Sequence, residues 1–384
     1  MTFLFKNIQG IGWNAKITKL KESDDFDIVK LQRLQKKKYP FLLESSSRGN
    51  ISNRFSILFY KPEILLEKRD DKINFLDELD KIWMREKITQ KKIKLGNKKI
   101  PFCGGWFVYL GYELASEIET KLKIPKSQFE LPTAFLARVK SSIIYDHIDR
   151  EIIITSENHE NFEQDFFDIE SDLKHYTKDN NNNLGSIKIF SKGSSKEHQD
   201  QVKACIDFIF QGEIFQANLS RLWQFKVAEN VEDIDLYLQL RKNNPSPFSG
   251  LVLYKNSSII SSSPERLVSV NENLLQTRPI AGTRPRGRSG LTDIELSKEL
   301  INSDKEKAEH LMLVDLERND ISKVCKAGSV EVNEMMTIES YAHVHHIVSN
   351  IRGVKNDSVT PGMIISSLFP GGTITGCPKV RCME

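Results

Sequence analysis

Ser303–Val324, with the sequence SDKEKAEHLMLVDLERNDISKV, has the pattern of one long helix. Ser303 or Asp304 is a suitable N-cap, because a short polar side chain can accept a hydrogen bond from the free N–H groups of the first turn. Glu306 and Glu309 lie three residues apart and therefore share one helix face. Two such carboxylates suit magnesium, although a solvated helix surface is the simpler interpretation of the spacing alone.

Helices and strands are unevenly spaced around this segment. A capping-box spacing between Ser194 and Glu197 predicts the start of a helix, and Pro361 in TPGMIISSL is suited to the first turn of another. This mixture favours an α+β fold over regular βαβ winding. Strands are predicted at residues 54–60, 151–156, 214–225, 250–255, 257–263 and 343–353.

The length and composition are those of a soluble globular protein with two domains or one composite fold. The chain has 384 residues, a net charge of +3 and five scattered cysteines. The near-balanced charge gives no sign of nucleic-acid binding. No apolar run is long enough for a membrane span, and no secretory signal is evident, so we expect a cytoplasmic protein. The polar stretch Thr177–Ser186 predicts a linker between regions 1–180 and 190–384.

Two glycine-rich segments are candidates for binding an anion. Gln276–Gly290, QTRPIAGTRPRGRSG, contains four arginines and could be a basic loop, a phosphate cradle or a turn around a small anion. Leu368–Arg381, LFPGGTITGCPKVR, offers free N–H groups, the Thr373 hydroxyl and Lys379. A plain tight turn is the alternative for the second segment, which lacks the P-loop pattern.

Two further features offer groups for proton transfer. Glu265 follows Pro264 at the end of a predicted strand, and His345 and His346 are adjacent on another, so their side chains face opposite ways. Each feature alone is weak, since exposed glutamates and isolated histidines are common. Together with the paired carboxylates and glycine-rich segments, they indicate a site for a small polyanion with magnesium.

Six motifs in this order carry a resemblance to a known family. They are GEIFQANLSR, SSSPERL, TRPIAGTRPRG, KAEHLMLVDLERND, VHHIVS and FPGGTITGCPKVRCME. The sequence resembles the chorismate-utilising enzymes, namely component I of anthranilate synthase and of aminodeoxychorismate synthase. The match is strong from about residue 190 onward and weaker through FLLESSSRG and GGWFVYLGYELASEIE.

The resemblance implies a fold, a cofactor and roles for individual residues. The fold would be two packed β-sheets with outer helices, and the reaction would need Mg²⁺. By motif matching, Glu309 would bind the metal with Glu306 as its neighbour, and Glu265 would be the general acid for the departing C4 hydroxyl of chorismate. The remaining site residues would be Gly282 and Thr283 at the ring carboxylate, His346 at the ring, and Gly372, Thr373 and Lys379 in contact with substrate.

The resemblance also bears on the nucleophile. Family members that add water carry a lysine base where this chain has Gln216, so ammonia from a glutamine amidotransferase subunit is expected instead. Aminodeoxychorismate synthases typically carry a nucleophilic lysine at the position of Ala281. Anthranilate synthases resemble this chain in having alanine there. Other motifs favour the aminodeoxychorismate branch. We therefore expect aminodeoxychorismate synthase component I, with anthranilate synthase component I as the alternative.

Family members continue well beyond the point at which this sequence stops, CPKVRCME. The segment that follows in the family would supply further strands, an arginine that contacts substrate and a second glutamate for magnesium. The resemblance therefore implies that the C-terminal part of the fold is missing. A truncated, non-catalytic remnant is a further alternative, and we expect poor turnover from these 384 residues alone.

Overall fold

The structure, a computed structural model, describes residues 3–47, 54–86, 94–95, 98–176 and 188–384, with only the backbone at 94–95. The predicted linker therefore lies outside the described residues. The strands are β1 (Lys6–Gly10), β2 (Trp13–Lys19), β3 (Phe41–Glu44), β4 (Phe55–Tyr60), β5 (Glu63–Lys68), β6 (Lys94–Leu95), β7 (Lys98–Lys99), β8 (Gly105–Leu110), β9 (Ala134–Val139), β10 (Ser141–Asp146), β11 (Glu151–Glu157), β12 (Lys188–Ser191), β13 (Gln216–Ala217), β14 (Gln224–Lys226), β15 (Phe248–Tyr254), β16 (Ser257–Ser263), β17 (Ser269–Asn271), β18 (Leu274–Thr277), β19 (Ile280–Pro285), β20 (Glu331–Ser340), β21 (Val344–Val354) and β22 (Gly376–Cys377). The helices are α1 (Ile28–Leu34), α2 (Phe75–Arg85), α3 (Ala115–Ile118), α4 (Phe162–Lys174), α5 (Ser195–Phe210), α6 (Asp233–Asn243), α7 (Gly290–Asn302), α8 (Asp304–Ser322), α9 (Pro361–Leu368), α10 (Gly372–Thr375) and α11 (Lys379–Met383).

An eight-stranded antiparallel sheet takes strands from both sides of the predicted linker. Its order is β1-β2-β11-β10-β4-β3-β15-β16. The central strand β10 is buried on both faces: Ile143 packs into one hydrophobic cluster and Ile144 into another. Helices α1, α4 and α6 contribute to the first cluster. On the other face, a layer of phenylalanines packs against the three-stranded sheet β5-β9-β8.

The second large sheet carries most of the motif residues. Its order is β17-β18-β21-β19, and β20 also pairs with β21. Helix α8 packs across β19 and β21, because its apolar side chains share a buried cluster with those of the sheet. That cluster includes Leu275, Val314, Ile321, Ile351 and Leu368.

Helix α9 links this layer to the N-terminal region. Thr360 caps α9 through the Met363 N–H, and Pro361 occupies its first turn as predicted. Asp80 of α2 accepts a hydrogen bond from the Gly362 N–H at 2.7 Å and another from the Thr360 hydroxyl. The position of the glycine-rich segment after α9 therefore depends on contacts with α2.

Most predicted elements are confirmed, and one strand is wrong. The predicted α+β class, helix starts and five of six strands agree with the structure. The expected strand 214–225 is instead two short strands, β13 and β14. The alternating pattern did not produce one continuous strand, because Phe215 and Leu219 remain exposed and bury no apolar face. The backbone N–H groups of Phe215 and Asn218 instead donate to carbonyl oxygens at or next to β22.

Helix α5 forms where its spacing predicts, but none of its residues is buried. Val202, Ile206, Ile209 and Phe210 are among the exposed large apolar side chains. In the described part of the chain, no helix is both long and apolar enough to cross a bilayer.

Candidate active site

Helix α8 supports the predicted site residues along its length. The Ser303 hydroxyl accepts a hydrogen bond from the Glu306 N–H, so the helix begins as predicted. Glu306 and Glu317 are roughly 16 Å apart along the axis, at 1.5 Å per residue. The candidate residues therefore form two groups. The α8-start group comprises Ala281, Gly282, Thr283, Glu306, Glu309 and His346, and the α8-end group comprises Gln216, Glu265, Glu317, Gly372, Thr373 and Lys379.

Gly282 brings the backbone of β19 close to α8. Its φ of +86° is a conformation that residues with a side chain rarely adopt. A Cβ atom at this position would lie 3.2 Å from Glu306 Oε2 and 3.2 Å from side-chain atoms of Ile347 and Leu300. The glycine therefore allows one carboxylate oxygen of Glu306 to face the backbone of Gly282.

Replacing Gly282 with alanine should lower the free energy of unfolding by about 1–3 kcal/mol, because the left-handed φ and the close contacts both oppose a side chain. Urea unfolding of G282A would measure the loss. Gly290→Ala is a matched control, since nothing lies within 4 Å of a Cβ there and its φ is not in the left-handed region. A G282A protein as stable as the wild type would contradict this account of the turn.

Thr283 and His346 are joined across two neighbouring strands. They pair in the β19–β21 register, and Thr283 Oγ1 lies 2.9 Å from His346 Nδ1. Burial lowers the pKa of His346, which favours the neutral ring at neutral pH. His345 faces the other way, as predicted, and is held by Asp293 at 2.9 Å. Of the two histidines, His346 is thus the one beside the α8-start group.

Ala281 is buried next to a histidine that the sequence did not single out. His310 of α8 is fully buried, and its Nε2 lies 2.7 Å from Ser349 Oγ. Burial lowers the pKa of His310, and the nearby backbone of Ala281 opposes the shift. With its side chain 7% exposed, Ala281 has little room for a larger residue. The spacing of His310 from Glu306 along the helix could have placed it on this face.

Glu265 is a partly buried acid in the α8-end group. Burial raises its pKa, and a hydrogen bond from the Thr373 hydroxyl opposes the increase. The turn before it is fixed by Ser263, whose hydroxyl accepts from the Glu265 N–H at 3.2 Å. A raised pKa is what a carboxyl group needs in order to donate a proton near neutral pH.

The glycine-rich segment that supplies Thr373 packs directly on α8. A Cβ atom on Gly372 would lie 2.5 Å from Leu316, so glycine is required for this close approach. Gln216 pairs with Cys377 through β13 and β22, and its Nε2 donates to Asn218 at 3.2 Å. Both predicted residues therefore border the same end of the helix as Glu265.

Lys379 has a partner within the protein. Its Nζ lies 2.5 Å from Asp320 Oδ2 and 3.1 Å from the Leu368 carbonyl oxygen. The side chain is 12% exposed. The charge of Lys379 is thus already compensated by Asp320. Contact between Lys379 and substrate stays a prediction, and this ion pair argues against it.

The predicted magnesium ligands form a partial site. Glu306 is paired with Arg284 at 3.1 Å through one oxygen, while the other oxygen faces Gly282. Glu309 lies one turn further along and is half-buried. Magnesium is commonly held by one or two carboxylates together with substrate oxygens and water. The two glutamates fit that kind of site, in which substrate would supply further ligands.

A separate acidic cluster does not resemble a magnesium site. Within the described ranges, Asp146, Asp149 and Glu151 are the group whose carboxylates lie close enough together to hold a metal. Lys98 and Arg54 form ion pairs with these acids, with Lys98 Nζ 2.7 Å from Asp146 and 2.5 Å from Asp149. The cluster is therefore an ion-pair network in which two cations offset most of the carboxylate charge, and it lies far along the chain from the motifs.

Glu317 is a further residue of the site, and the sequence motifs assign it no role. This side chain of α8 is 8% exposed and belongs to the α8-end group. Burial raises its pKa to about 8, the carboxylates of Glu265 and Asp320 add to the increase, and Thr277 and Lys379 oppose it. Its distance of eight residues from Glu309 could have placed it on the same side of the helix, but burial of a glutamate has no sequence signal.

A family model described as chorismate binding enzyme matches residues 39–384. The chain belongs to the chorismate-binding enzyme family. An anthranilate synthase component I-like protein of Synechocystis sp. is 38% identical over 293 residues, which are 74% of this chain and 58% of that relative. The chain therefore spans less than two thirds of that relative's length.

Two further relatives of the chorismate-binding family match almost the whole chain. Aminodeoxychorismate synthase component 1 of Bacillus subtilis is 36% identical over 91% of this chain and 77% of its own length. Anthranilate synthase component 1 of Acetivibrio thermocellus is 33% identical over 92% and 76%. The family resemblance is confirmed, and the names of the relatives include both aminating branches.

Solved structures confirm the expected fold. Anthranilate synthase component I from Streptococcus pneumoniae superposes with a TM-score of 0.72 at 26% identity, covering 88% of this chain and 77% of that one. The menaquinone-specific isochorismate synthase MenF from Escherichia coli has a TM-score of 0.66 at 14% identity, covering 97% of this chain and 77% of that one. At that identity, the second likeness concerns the fold alone.

Proposed function

We propose that the chain is component I of an aminodeoxychorismate synthase. It would replace the C4 hydroxyl of chorismate with an amino group, giving 4-amino-4-deoxychorismate for 4-aminobenzoate and folate synthesis. A separate glutamine amidotransferase subunit would supply the ammonia. In support, the Bacillus subtilis aminodeoxychorismate synthase component is 36% identical. The anthranilate synthase components of similar coverage are 29–34% identical.

The observation that carries this proposal is the environment of Glu265. A partly buried carboxyl group with a raised pKa, held in position by Thr373, is suited to protonate a departing hydroxyl group. The proton converts a poor leaving group, hydroxide, into water. Glu265 is therefore the proposed general acid.

The α8-start group would bind the ring carboxylate of chorismate. Gly282 offers its backbone and Thr283 its hydroxyl, while His346 holds the Thr283 side chain and lines the ring. Glu309 and Glu306 would hold Mg²⁺ there. When bound, the metal would neutralise the substrate carboxylate and help the ring accept a nucleophile.

Gln216 favours ammonia over water as the nucleophile. An amide cannot accept a proton at neutral pH, so it cannot activate water as a lysine base does in water-adding family members. Ammonia needs no such activation, because its nitrogen carries a free lone pair. Gln216 pairs with Cys377 of the glycine-rich segment, and the same segment contacts Glu265 through Thr373.

Anthranilate synthase component I is the second candidate, and Ala281 favours it. An alanine offers no nucleophile for a covalent adduct at C2, so ammonia would have to attack the ring directly. Direct attack at C2 leads to anthranilate, whereas attack at C4 leads to the proposed product.

Product analysis separates the two candidates. The protein made from its own gene would be incubated with its amidotransferase, glutamine, chorismate, Mg²⁺ and the lyase that converts 4-amino-4-deoxychorismate to 4-aminobenzoate. Chromatography should then find 4-aminobenzoate. Anthranilate without 4-aminobenzoate would overturn the proposal in favour of the second candidate.

Replacing Ala281 with lysine should shift the product ratio toward the C4 amine, because the new amine can form the covalent adduct that directs ammonia to C4. The ratio of 4-aminobenzoate to anthranilate measures this. Ala281→Met is the matched control for side-chain length, and a similar loss of packing of about 1–3 kcal/mol is expected in both variants. An unchanged ratio in A281K would show that this position does not direct the reaction.

A further inference from the structure

Arg284 joins the arginine-rich end of β19 to the first turn of α8. Its Nη1 donates a hydrogen bond to Glu306 Oε1 at 3.1 Å and another to the carbonyl oxygen of Thr283 at 2.9 Å. Its Nε donates to Glu299 Oε1, near the end of α7, at 2.8 Å. One guanidinium group therefore connects a strand end and two helix ends beside a predicted magnesium ligand.

The charge of Arg284 is shared between two carboxylates. The Glu299 side chain is 59% exposed, whereas the side chains of Arg284 and Glu306 are 23% and 16% exposed. One cation and two anions leave a negative net charge on the three groups. The ion pair thus lowers the charge of Glu306 without cancelling it, and Glu306 can still bind a cation.

The ion pair also fixes the direction of the Glu306 carboxylate. With Oε1 held by Arg284, Oε2 lies on the side of Gly282, 3.2 Å from the position that a Cβ atom would take there. A glutamate side chain has several rotatable bonds, so a carboxylate that nothing holds would sample several directions. Oε2 is therefore presented to the backbone turn at which the ring carboxylate of the substrate is proposed to bind.

Magnesium gains affinity from a ligand that is already in position. The ion requires a nearly ideal octahedron of oxygen atoms and gives up bound water reluctantly. A carboxylate that must first find its direction loses rotamer freedom when it binds the ion, and a pre-oriented one does not. Hydrogen-bond partners of metal ligands accordingly contribute about 10- to 100-fold to metal affinity.

We propose that Arg284 is a positioning residue for magnesium, which holds Glu306 Oε1 so that Oε2 faces the metal and the substrate carboxylate. The planar guanidinium suits this task, because its Nε and Nη1 donors point in fixed directions and bind Glu299 and Glu306 together. Arg284 acts through Glu306 rather than on the substrate. The role rests on the proposed function, in which Glu306 and Glu309 hold Mg²⁺.

Binding of Mn²⁺ tests the proposal without turnover. Manganese takes the same oxygen ligands as magnesium, and electron paramagnetic resonance measures the free ion. The protein would be titrated with Mn²⁺ in the presence of chorismate and without a nitrogen source. We expect the Kd of Mn²⁺ to rise about 10- to 100-fold in R284Q. An unchanged Kd would overturn the proposal, and a lower Kd would overturn it by showing that Arg284 competes with the metal.

Arg286 is the matched control, two residues further along the same segment. Its guanidinium binds Asp293 at 2.8 and 2.7 Å and the carbonyl oxygen of Tyr341 at 2.8 Å. R286Q should therefore bind Mn²⁺ as the wild type does. R284K keeps the charge and loses the planar fork of donors, so its Kd should be intermediate. If circular dichroism finds R284Q unfolded, R284K carries the test, and a wild-type Kd in R284K would then contradict the proposal.

The reaction rate should show the same dependence on magnesium. With ammonium as the nitrogen source, R284Q should need at least about 10-fold more Mg²⁺ for its half-maximal rate. Saturating Mg²⁺ should restore kcat to within about twofold of the wild type, because the variant loses metal affinity rather than chemistry. A purely structural role of Arg284 would instead lower the rate without changing its dependence on Mg²⁺, and that result would overturn the proposal.

E309Q separates this inference from the proposed function. Loss of Mn²⁺ binding in E309Q together with an unchanged Kd in R284Q would overturn the role of Arg284 and leave the metal site intact. Wild-type Mn²⁺ binding in both E309Q and E306Q would show that the metal site is wrong, and the role of Arg284 would fall with it. Product analysis of the wild-type enzyme decides the aminating function independently of either result.

Discussion

Replacing Glu265 with glutamine is expected to lower kcat for chorismate amination by roughly 10²–10⁴-fold, the usual contribution of a general acid. Glutamine keeps the size of the side chain and can still accept the hydrogen bond from Thr373. Its amide is too weak an acid to give a proton to the departing hydroxyl. KM for chorismate should therefore change little, because substrate contacts outside this proton transfer remain.

Steady-state kinetics with ammonium as the nitrogen source would measure this effect without the amidotransferase. Glu331→Gln, an exposed carboxyl group of β20 paired with Arg352, is a control that should retain wild-type kcat. Magnetic resonance or circular dichroism would verify that E265Q is folded. Near-wild-type kcat in a folded E265Q enzyme would rule out Glu265 as the general acid.

The free energy of unfolding should fall as pH rises from about 4.5 to about 8 because of Glu317. Its pKa is raised from 4.5 to about 8 by burial, so the unfolded chain releases this proton before the folded protein does. Above the unfolded value, ionisation stabilises the unfolded state, and the loss stops once the folded carboxyl also ionises. At 1.36 kcal/mol per pKa unit, the largest loss from this single group is about 5 kcal/mol.

E317Q removes the titrating group and keeps its shape. Urea unfolding at several pH values should find E317Q close to the wild type near pH 4.5 and more stable by up to about 5 kcal/mol at pH 8. Asp315→Asn, with its side chain 72% exposed, should give no such divergence. A difference between E317Q and the wild type that is the same at every pH would contradict a raised pKa at Glu317.

Local signals in the sequence were enough to predict much of this region. The Ser303 cap, the apolar pattern of α8 and the opposite faces of His345 and His346 depend on residues close together in the chain. Pro361 fixed a helix start for the same reason. Motif order identified the family, since six segments in sequence are far more specific than any one of them.

Long-range contacts explain what the sequence did not indicate. The pairing of Lys379 with Asp320, and of Glu306 with Arg284, depends on how separate elements meet. Each ion pair reduces the charge that the predicted binding residue, Lys379 or Glu306, can offer to substrate or metal. The burial of Glu317 likewise arises from the packing of α8 against the second sheet, so no local pattern marks it.

The wrong strand prediction at residues 214–225 also has a long-range cause. Residues 214–225 alternate between apolar and polar side chains, which is the local signature of a strand. A strand also needs a neighbour along its length, and here β13 finds only the two residues of β22. The alternating pattern therefore gave two short strands separated by irregular backbone.

Transfer of nitrogen to chorismate is the central claim, and isotope incorporation tests it most directly. The protein made from its own gene would be incubated with chorismate, Mg²⁺ and ¹⁵N-labelled ammonium, and the product analysed by mass spectrometry. We expect a product that contains ¹⁵N and has lost the C4 hydroxyl. A nitrogen-free product that has taken up oxygen from labelled water would contradict it, because the nucleophile would then be water.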